Sequence, residues 1–201
     1  VGGDLLVTST DGSIANSGTF VLNATSGPRS IQGSGATFPP VQINATGVTY
    51  TAVDNLNFYG NFTLTAGTFD GNGKYIYLGN AAGRTINITS GTTYKIGAGG
   101  TMAFGPTASA TIDGTIEMTG TNSSPVLITK NAQGSSYSFA INGTVKASYY
   151  TFEYMAATGI VVNSSATIDP TYNFSDGTFT NGPANCKYFT VNNTQTYTIN
   201  N

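Results

Sequence analysis

Apolar and polar residues alternate in short bursts along the chain. Phe62-Thr63-Leu64-Thr65, Tyr75-Ile76-Tyr77-Leu78, Thr85-Ile86-Asn87-Ile88, Val126-Leu127-Ile128-Thr129 and Tyr197-Thr198-Ile199 each put apolar side chains on one face of a strand of four to six residues. Between the bursts fall turn formers: Asp70-Gly71-Asn72-Gly73, Gly97-Ala98-Gly99-Gly100, Asn142-Gly143 and Asp176-Gly177. No window of ten or more residues carries a helical period. The pattern predicts an all-β chain.

A phrase recurs within it. Gly-Thr followed within a residue or two by an apolar side chain appears around Gly67, Gly91, Gly100, Gly114, Gly143 and Gly177, spaced irregularly from about 9 to 34 residues. Repetition of this kind suits a coil whose turns each contribute two or three short strands and stack on the turn before, burying a column of inward side chains. Two packed antiparallel sheets, a β-sandwich or jelly roll, would also accommodate alternating strands. The density of Ile, Val, Phe and Tyr from residue 60 to 199, and asparagines at many turns where amides can stack, favour the solenoid. The expectation is a single β-solenoid domain over residues 1–201, with less regular first coils over 1–59, where Gly27-Pro28-Arg29-Ser30 and Gly33-Ser34-Gly35-Ala36-Thr37-Phe38-Pro39-Pro40 interrupt the pattern.

Three runs carry a resemblance: Gly18-Thr19-Phe20-Val21-Leu22, Ile31 through Ile43, and Asp54 through Asp70. With Gly143 through Ile160 and Phe174 through Gly182, they resemble the rungs of large bacterial surface-exposed right-handed parallel β-helix proteins. The resemblance implies that fold and an extracellular or cell-surface address, and no particular activity.

Composition narrows the chemistry. Only 8% of residues are charged, with a net charge of −2, while the chain holds 33 Thr, 20 Asn, 17 Ser and 26 Gly. Polarity here is neutral, and the 12 Tyr and 11 Phe separate the chain from a disordered one. No Lys/Arg cluster exists to neutralise a run of phosphates, so nucleic acid is not an expected partner. No stretch approaches the roughly 18 apolar residues of a membrane span, and Val1-Gly2-Gly3-Asp4 has no signal-peptide character, which reads as export signals removed or a segment of something longer. The lone Cys186 reads as a buried small hydrophobe.

With no His and no Trp, triad catalysis, histidine metal sites and tryptophan sugar platforms have no residues to use. Glycan-processing enzymes on β-helices need clustered carboxylates. Asp113 and Glu117 are the nearest approach to a pair, while Glu153, Asp169 and Asp176 are scattered among turns. Asp70-Gly71-Asn72-Gly73 begins like a calcium loop but lacks the later bidentate Glu. We expect no catalytic residues, no metal site and no cofactor.

Asn-x-Ser/Thr occurs at Asn23, Asn44, Asn61, Asn87, Asn122, Asn142, Asn163, Asn173 and Asn192, the candidate glycosylation sites. Chance gives roughly five from this composition, and strand-turn sequences rich in Thr and Asn produce a modest excess unaided. Thr-x-Thr pairs at Thr8/Thr10, Thr49/Thr51, Thr63/Thr65 and Thr196/Thr198 do not recur at a fixed interval, so β-propensity explains them better than an ice-binding face does. Tyr149, Tyr150 and Tyr154, with Phe152, offer aromatic surface for sugars, although alternation sends half of such a run inward.

The resulting expectation is a non-enzymatic extracellular structural or adhesive surface protein. Neither end shows a polar cap, which suits flanking repeats or copies of itself stacked end to end as a filament. A carbohydrate-binding module or polysaccharide-processing enzyme on the same scaffold is the alternative.

Overall fold

The computed structural model describes residues 1–8, 18–132, 136–192 and 194. Among them are twenty β-strands and no helix. Every ladder between named strands is parallel, and the strands wind through about seven turns of a β-solenoid. The alternation that a sandwich would also have accommodated belongs to stacked coils, as favoured from the sequence.

Following the ladders resolves three faces. Face 1 starts at Phe20–Leu22 and continues through 41–43, 62–64, Thr85–Ile88, Ser109–Ile112, Tyr137–Ile141 and 160–162 to Phe189–Val191. Face 2 starts at Leu5–Leu6 and Arg29–Gln32, then passes through 50–52, 68–70, Thr93–Lys95, 115–119 and 144–148 to Thr167–Ile168. Face 3 runs from Thr37–Phe38 through Leu56–Phe58, Tyr75–Leu78, Thr101–Phe104, Val126–Lys130 and 150–153 to Ser175–Thr180. Three long strands turn corners: Val41–Ala52 and Phe62–Asp70 serve faces 1 and 2, and Thr144–Glu153 serves faces 2 and 3.

The turns differ in length. Phe38 pairs with Phe58 and Phe58 with Leu78, twenty residues apart each time, whereas Ile116 pairs with Val145 across 29. The corners absorb the difference while the strands keep register, which is why the Gly-Thr phrase looks irregular in sequence. Gly114 and Gly143 show what the corner demands: a Cβ at Gly143 would collide with the carbonyl oxygens of Gly114 and Asp113 on the turn before. The chain passes so close to its predecessor there that only glycine fits.

Each rung points alternate side chains inward, and these form one continuous core. Phe38, Phe58, Phe62, Phe69 and Tyr94 make an aromatic column with centroids 5.0–5.6 Å apart between successive rings. A second column runs Phe104, Tyr137, Phe139, Phe152 and Phe179. Ile76, Ile86 and Met102 are buried with them. A ring stacked in this way contributes about 0.5–1.5 kcal/mol beyond the area it buries.

Buried tyrosines must satisfy their hydroxyls. Tyr137 donates to the Ile128 carbonyl at 3.2 Å and Tyr150 to the Phe174 carbonyl at 3.1 Å. Tyr94 is fully buried and its hydroxyl has no partner among the described residues. Burial pushes all three phenols well above their ordinary range, with Asp70, Glu153 and Asp176 adding to the shift at Tyr94, Tyr137 and Tyr150 respectively. An unmade buried hydrogen bond costs about 1–3 kcal/mol, and a made one contributes about 1. Tyr94→Phe is therefore expected to leave the melting temperature unchanged or raise it, and Tyr150→Phe to lower stability by about 1 kcal/mol, as read by thermal and denaturant unfolding.

Candidate functional site

With the inward positions committed to the core, any function lies on the outward positions and corners, and these are ordered in columns. Outward on face 2, Thr49, Thr68, Thr93, Thr115, Thr144 and Thr167 pair rung to rung in an unbroken series. Sequence spacing conceals this column, since the intervals run 19, 25, 22, 29 and 23 residues. The Thr-x-Thr doublet itself does not repeat, because the position paired with Thr51 is Asp70, followed by Lys95, Glu117 and Lys146. Thr10, Thr196 and Thr198 lie outside the described residues, as does the strand expected at 197–199.

Those charges alternate in sign. Glu117 sits between Lys95, at 3.5 Å, and Lys146, at 3.0 Å. Hydrogen bonding to Glu117 and then its charge raise the Lys146 ammonium above its usual range. Exposed pairs of this sort contribute about 0–1 kcal/mol each. Glu117 is thus a rung of an ion ladder, and Asp113 belongs to another column, where its Oδ1 accepts from Asn142 Nδ2 at 2.7 Å.

That second column stands at the corner leaving face 1. The residue after the last inward position is Asn23, Asn44, Thr65, Thr89, Asp113, Asn142, Asn163 and Asn192 on successive turns. Thr65 and Thr89 donate to the carbonyls of Ile43 and Leu64 one turn back, at 3.0 and 2.9 Å. Asn163 Nδ2 donates to Asn142 Oδ1 at 2.7 Å, and Asn192 Nδ2 to Asn163 Oδ1 at 3.1 Å. Five of the nine sequons come from this corner. In four of the five a small residue follows the ladder asparagine, the buried Ala24 and Ala45, Gly143 or Ser164, and then Thr or Ser.

The remaining sequons lie elsewhere. Asn61 is exposed and its Oδ1 accepts from the Thr85 amide, Asn87 is outward on face 1 between Thr63 and Thr111, Asn122 is exposed in the turn closed by Thr121 and Ser124, and Asn173 has φ 36°. Replacing Asn163 by Ala removes one ladder rung and unpairs two amides, with an expected loss of about 1–3 kcal/mol; Asn122→Ala is expected to change stability by less than about 0.5. Denaturant unfolding of the two variants checks the contrast.

Of the other acidic residues, Asp70 and Asp169 serve turns, whereas Glu153 and Asp176, expected among turns, lie in strands. Asp70 Oδ1 accepts from the Asn72 amide, and Asp169 Oδ1 from the Thr171 and Tyr172 amides. Glu153 accepts from Thr129 Oγ1 at 3.1 Å, and Asp176 is exposed. Among the described residues no three of His, Cys, Asp or Glu gather to hold a metal ion. Cys186, expected to be buried, is half-buried: its amide donates to the Pro183 carbonyl in a surface turn, outside the solenoid core.

Face 3 carries aromatic surface. Tyr150 and Phe152, two of the residues singled out in sequence, are inward and buried, while Tyr149 and Tyr154 are half-buried, with Lys130 Nζ 4.6 Å from the Tyr154 ring centre. The structure instead brings together Tyr75 and Tyr77, outward neighbours two residues apart with ring centroids 4.3 Å apart and planes at 39°. Exposed Tyr59 is on the preceding rung. The signal was present in Tyr75-Ile76-Tyr77-Leu78, whose period of two puts both tyrosines opposite the buried Ile76 and Leu78.

An amide ladder runs beside this pair. Asn57 Nδ2 donates to Thr37 Oγ1 at 3.1 Å, Asn80 Nδ2 to Asn57 Oδ1 at 3.0 Å, and Asn131 Nδ2 to Asn80 Oδ1. On face 1 an open depression of about 310 Å³ is lined by Thr19, Pro40, Val41, Gln42, Asn61 and Thr63, all uncharged. No family model, curated protein or solved structure matches the chain.

Proposed function

We propose that the chain is a non-enzymatic, extracellular structural or adhesive surface protein, a stiff repeat rod that acts through its faces. The observation that carries this reading is the double ordering of the coil: inward side chains form one core, and outward threonines, alternating charges and corner asparagines stack in register across the turns. Such columns give a rod of about 35 Å over seven turns at the usual strand spacing. A surface whose polarity is hydrogen-bonded and neutral suits a constituent of an outer layer, and the resemblance to bacterial surface β-helix proteins points the same way. On this reading the partners are copies of itself or flanking repeats, which continue the same ladders, together with surface glycans.

The competing reading is a polysaccharide-processing enzyme. Purified chain incubated with neutral and acidic polysaccharides is expected to release no reducing or unsaturated ends above background. Beads coated with it are expected to be retained under flow on polysaccharide-coated glass. Chain-dependent release of sugar ends, or beads retained no better than albumin-coated ones, contradicts the proposal.

A further inference from the structure

We propose that Asn122 is an N-glycosylation site of the folded protein, and that the fold shields the other eight Asn-x-Ser/Thr triplets. This rests on the extracellular reading above for the meeting of the chain with a glycosylating enzyme.

Modification makes two demands on a triplet. The asparagine carboxamide must be free to react, and the three residues up to the hydroxyl must lift off the protein surface together to enter an enzyme. In five triplets the middle residue belongs to the core: Ala24, Ala45, Phe62, Ile88 and Phe174 are each 2% exposed or less. Detaching any of them draws a core side chain into water. In three more the carboxamide is already used. Asn142 Nδ2 donates to Asp113 Oδ1, Asn163 Nδ2 to Asn142 Oδ1 and Asn192 Nδ2 to Asn163 Oδ1.

Asn122 escapes both constraints. Asn122 and Ser123 are exposed, Ser124 is half-buried, and among the described residues the Asn122 side chain makes no hydrogen bond. The triplet sits in a tight turn closed by Thr121 and Ser124, whose backbones exchange hydrogen bonds of 3.1 and 3.0 Å. This turn tips the corner of residues 120–125, between the strands Thr115–Thr119 and Val126–Lys130. The same corner is shorter on the three preceding turns, at 53–55, 71–74 and 96–100, and on the following turn Thr144–Glu153 rounds it without a break. The tip therefore stands clear of its neighbours on both sides. Its base is fixed: a Cβ at Gly120 would collide with the Tyr149 carbonyl oxygen, and the Gly99 amide donates to the Ser124 carbonyl at 3.0 Å. A projecting tip on a rigid base carries a bulky group without disturbing the coil.

The architecture also leaves this triplet unexplained. Five of the nine repeat the asparagine corner, whereas Asn122 holds no stacking position, and Asn-Gly or Asp-Gly would serve a tight turn as well. With only 8% of residues charged, a glycan supplies hydration that charge supplies elsewhere. The donor is an oligosaccharide joined through pyrophosphate to a lipid. Asn122 Nδ2 bonds to C1 of the first sugar, the bond from C1 to the pyrophosphate oxygen breaks, Nδ2 gives up one proton, and the lipid pyrophosphate leaves.

The test treats the whole folded chain, made in a host that adds no glycans, with a purified oligosaccharyltransferase and its lipid-linked oligosaccharide. Free peptides carrying each of the triplets are treated in parallel. Mass spectrometry is expected to find Asn122 of the folded chain modified at least about tenfold faster than any other triplet, since each of the others must first open locally. The peptides of Asn61, Asn142 and Asn163 are expected to be modified freely, and Asn122→Gln to abolish transfer to the folded chain. No transfer to the folded chain, another triplet of the folded chain modified as fast as Asn122, transfer that persists in Asn122→Gln, or peptides that reproduce the selectivity of the folded chain overturns the proposal. Transfer is read on purified protein, so beads that fail to adhere while Asn122 is modified would remove the adhesive reading and leave this site.

Discussion

One constraint organises the molecule: each strand must lie in parallel register on the strand one turn earlier, about 4.8 Å away. Inward side chains then meet their counterparts on the next rung, which makes the aromatic columns through Phe58, Phe69 and Tyr94 and through Phe104, Phe139 and Phe152 possible. The same register places like on like outside. Six threonines, an alternating run of charges and a ladder of amides are all consequences of one translational repeat. A shift of one residue in any rung would exchange core for surface and break every column at once.

The corners make the register tolerant of uneven turns. Glycines such as Gly143 admit close passage of the chain, and Asn or Asp side chains bridge successive turns where strands end. Side-chain bonds hold the corner from Thr65 to Asn192, so a turn of 29 residues and one of 21 can deliver their strands to the same height. This also accounts for the surplus of Asn-x-Ser/Thr triplets, five of which are repeats of one corner.

The class of fold was legible in the sequence because period-two alternation and turn residues act locally, over four to eight residues. Asparagine stacking was legible too, since amides at repeated strand ends have few other partners. The threonine column was not: it is defined by register across turns of different length, and Thr68 to Thr93 or Thr115 to Thr144 share no common sequence interval. The aromatic surface was sought at Tyr149, Tyr150 and Tyr154 with Phe152, where alternation carries Tyr150 and Phe152 inward and leaves Tyr149 and Tyr154 half-buried; Tyr75 and Tyr77, outward on a plain four-residue strand, are half-buried too. Cys186 lies among aromatic residues in sequence, but its turn is held at the surface by Pro183.

The claim on which the rest depends is that register persists across unequal turns, and threonine methyl groups report it directly. In protein labelled only at threonine methyls, adjacent members of the face 2 column should be about 5 Å apart. Nuclear Overhauser contacts are expected between Thr68 and Thr93, Thr93 and Thr115, and Thr115 and Thr144, with none between Thr68 and Thr115. Absence of the three sequential contacts, or contacts joining these threonines to Thr63 or Thr111 of face 1 in their place, would contradict the stacked solenoid.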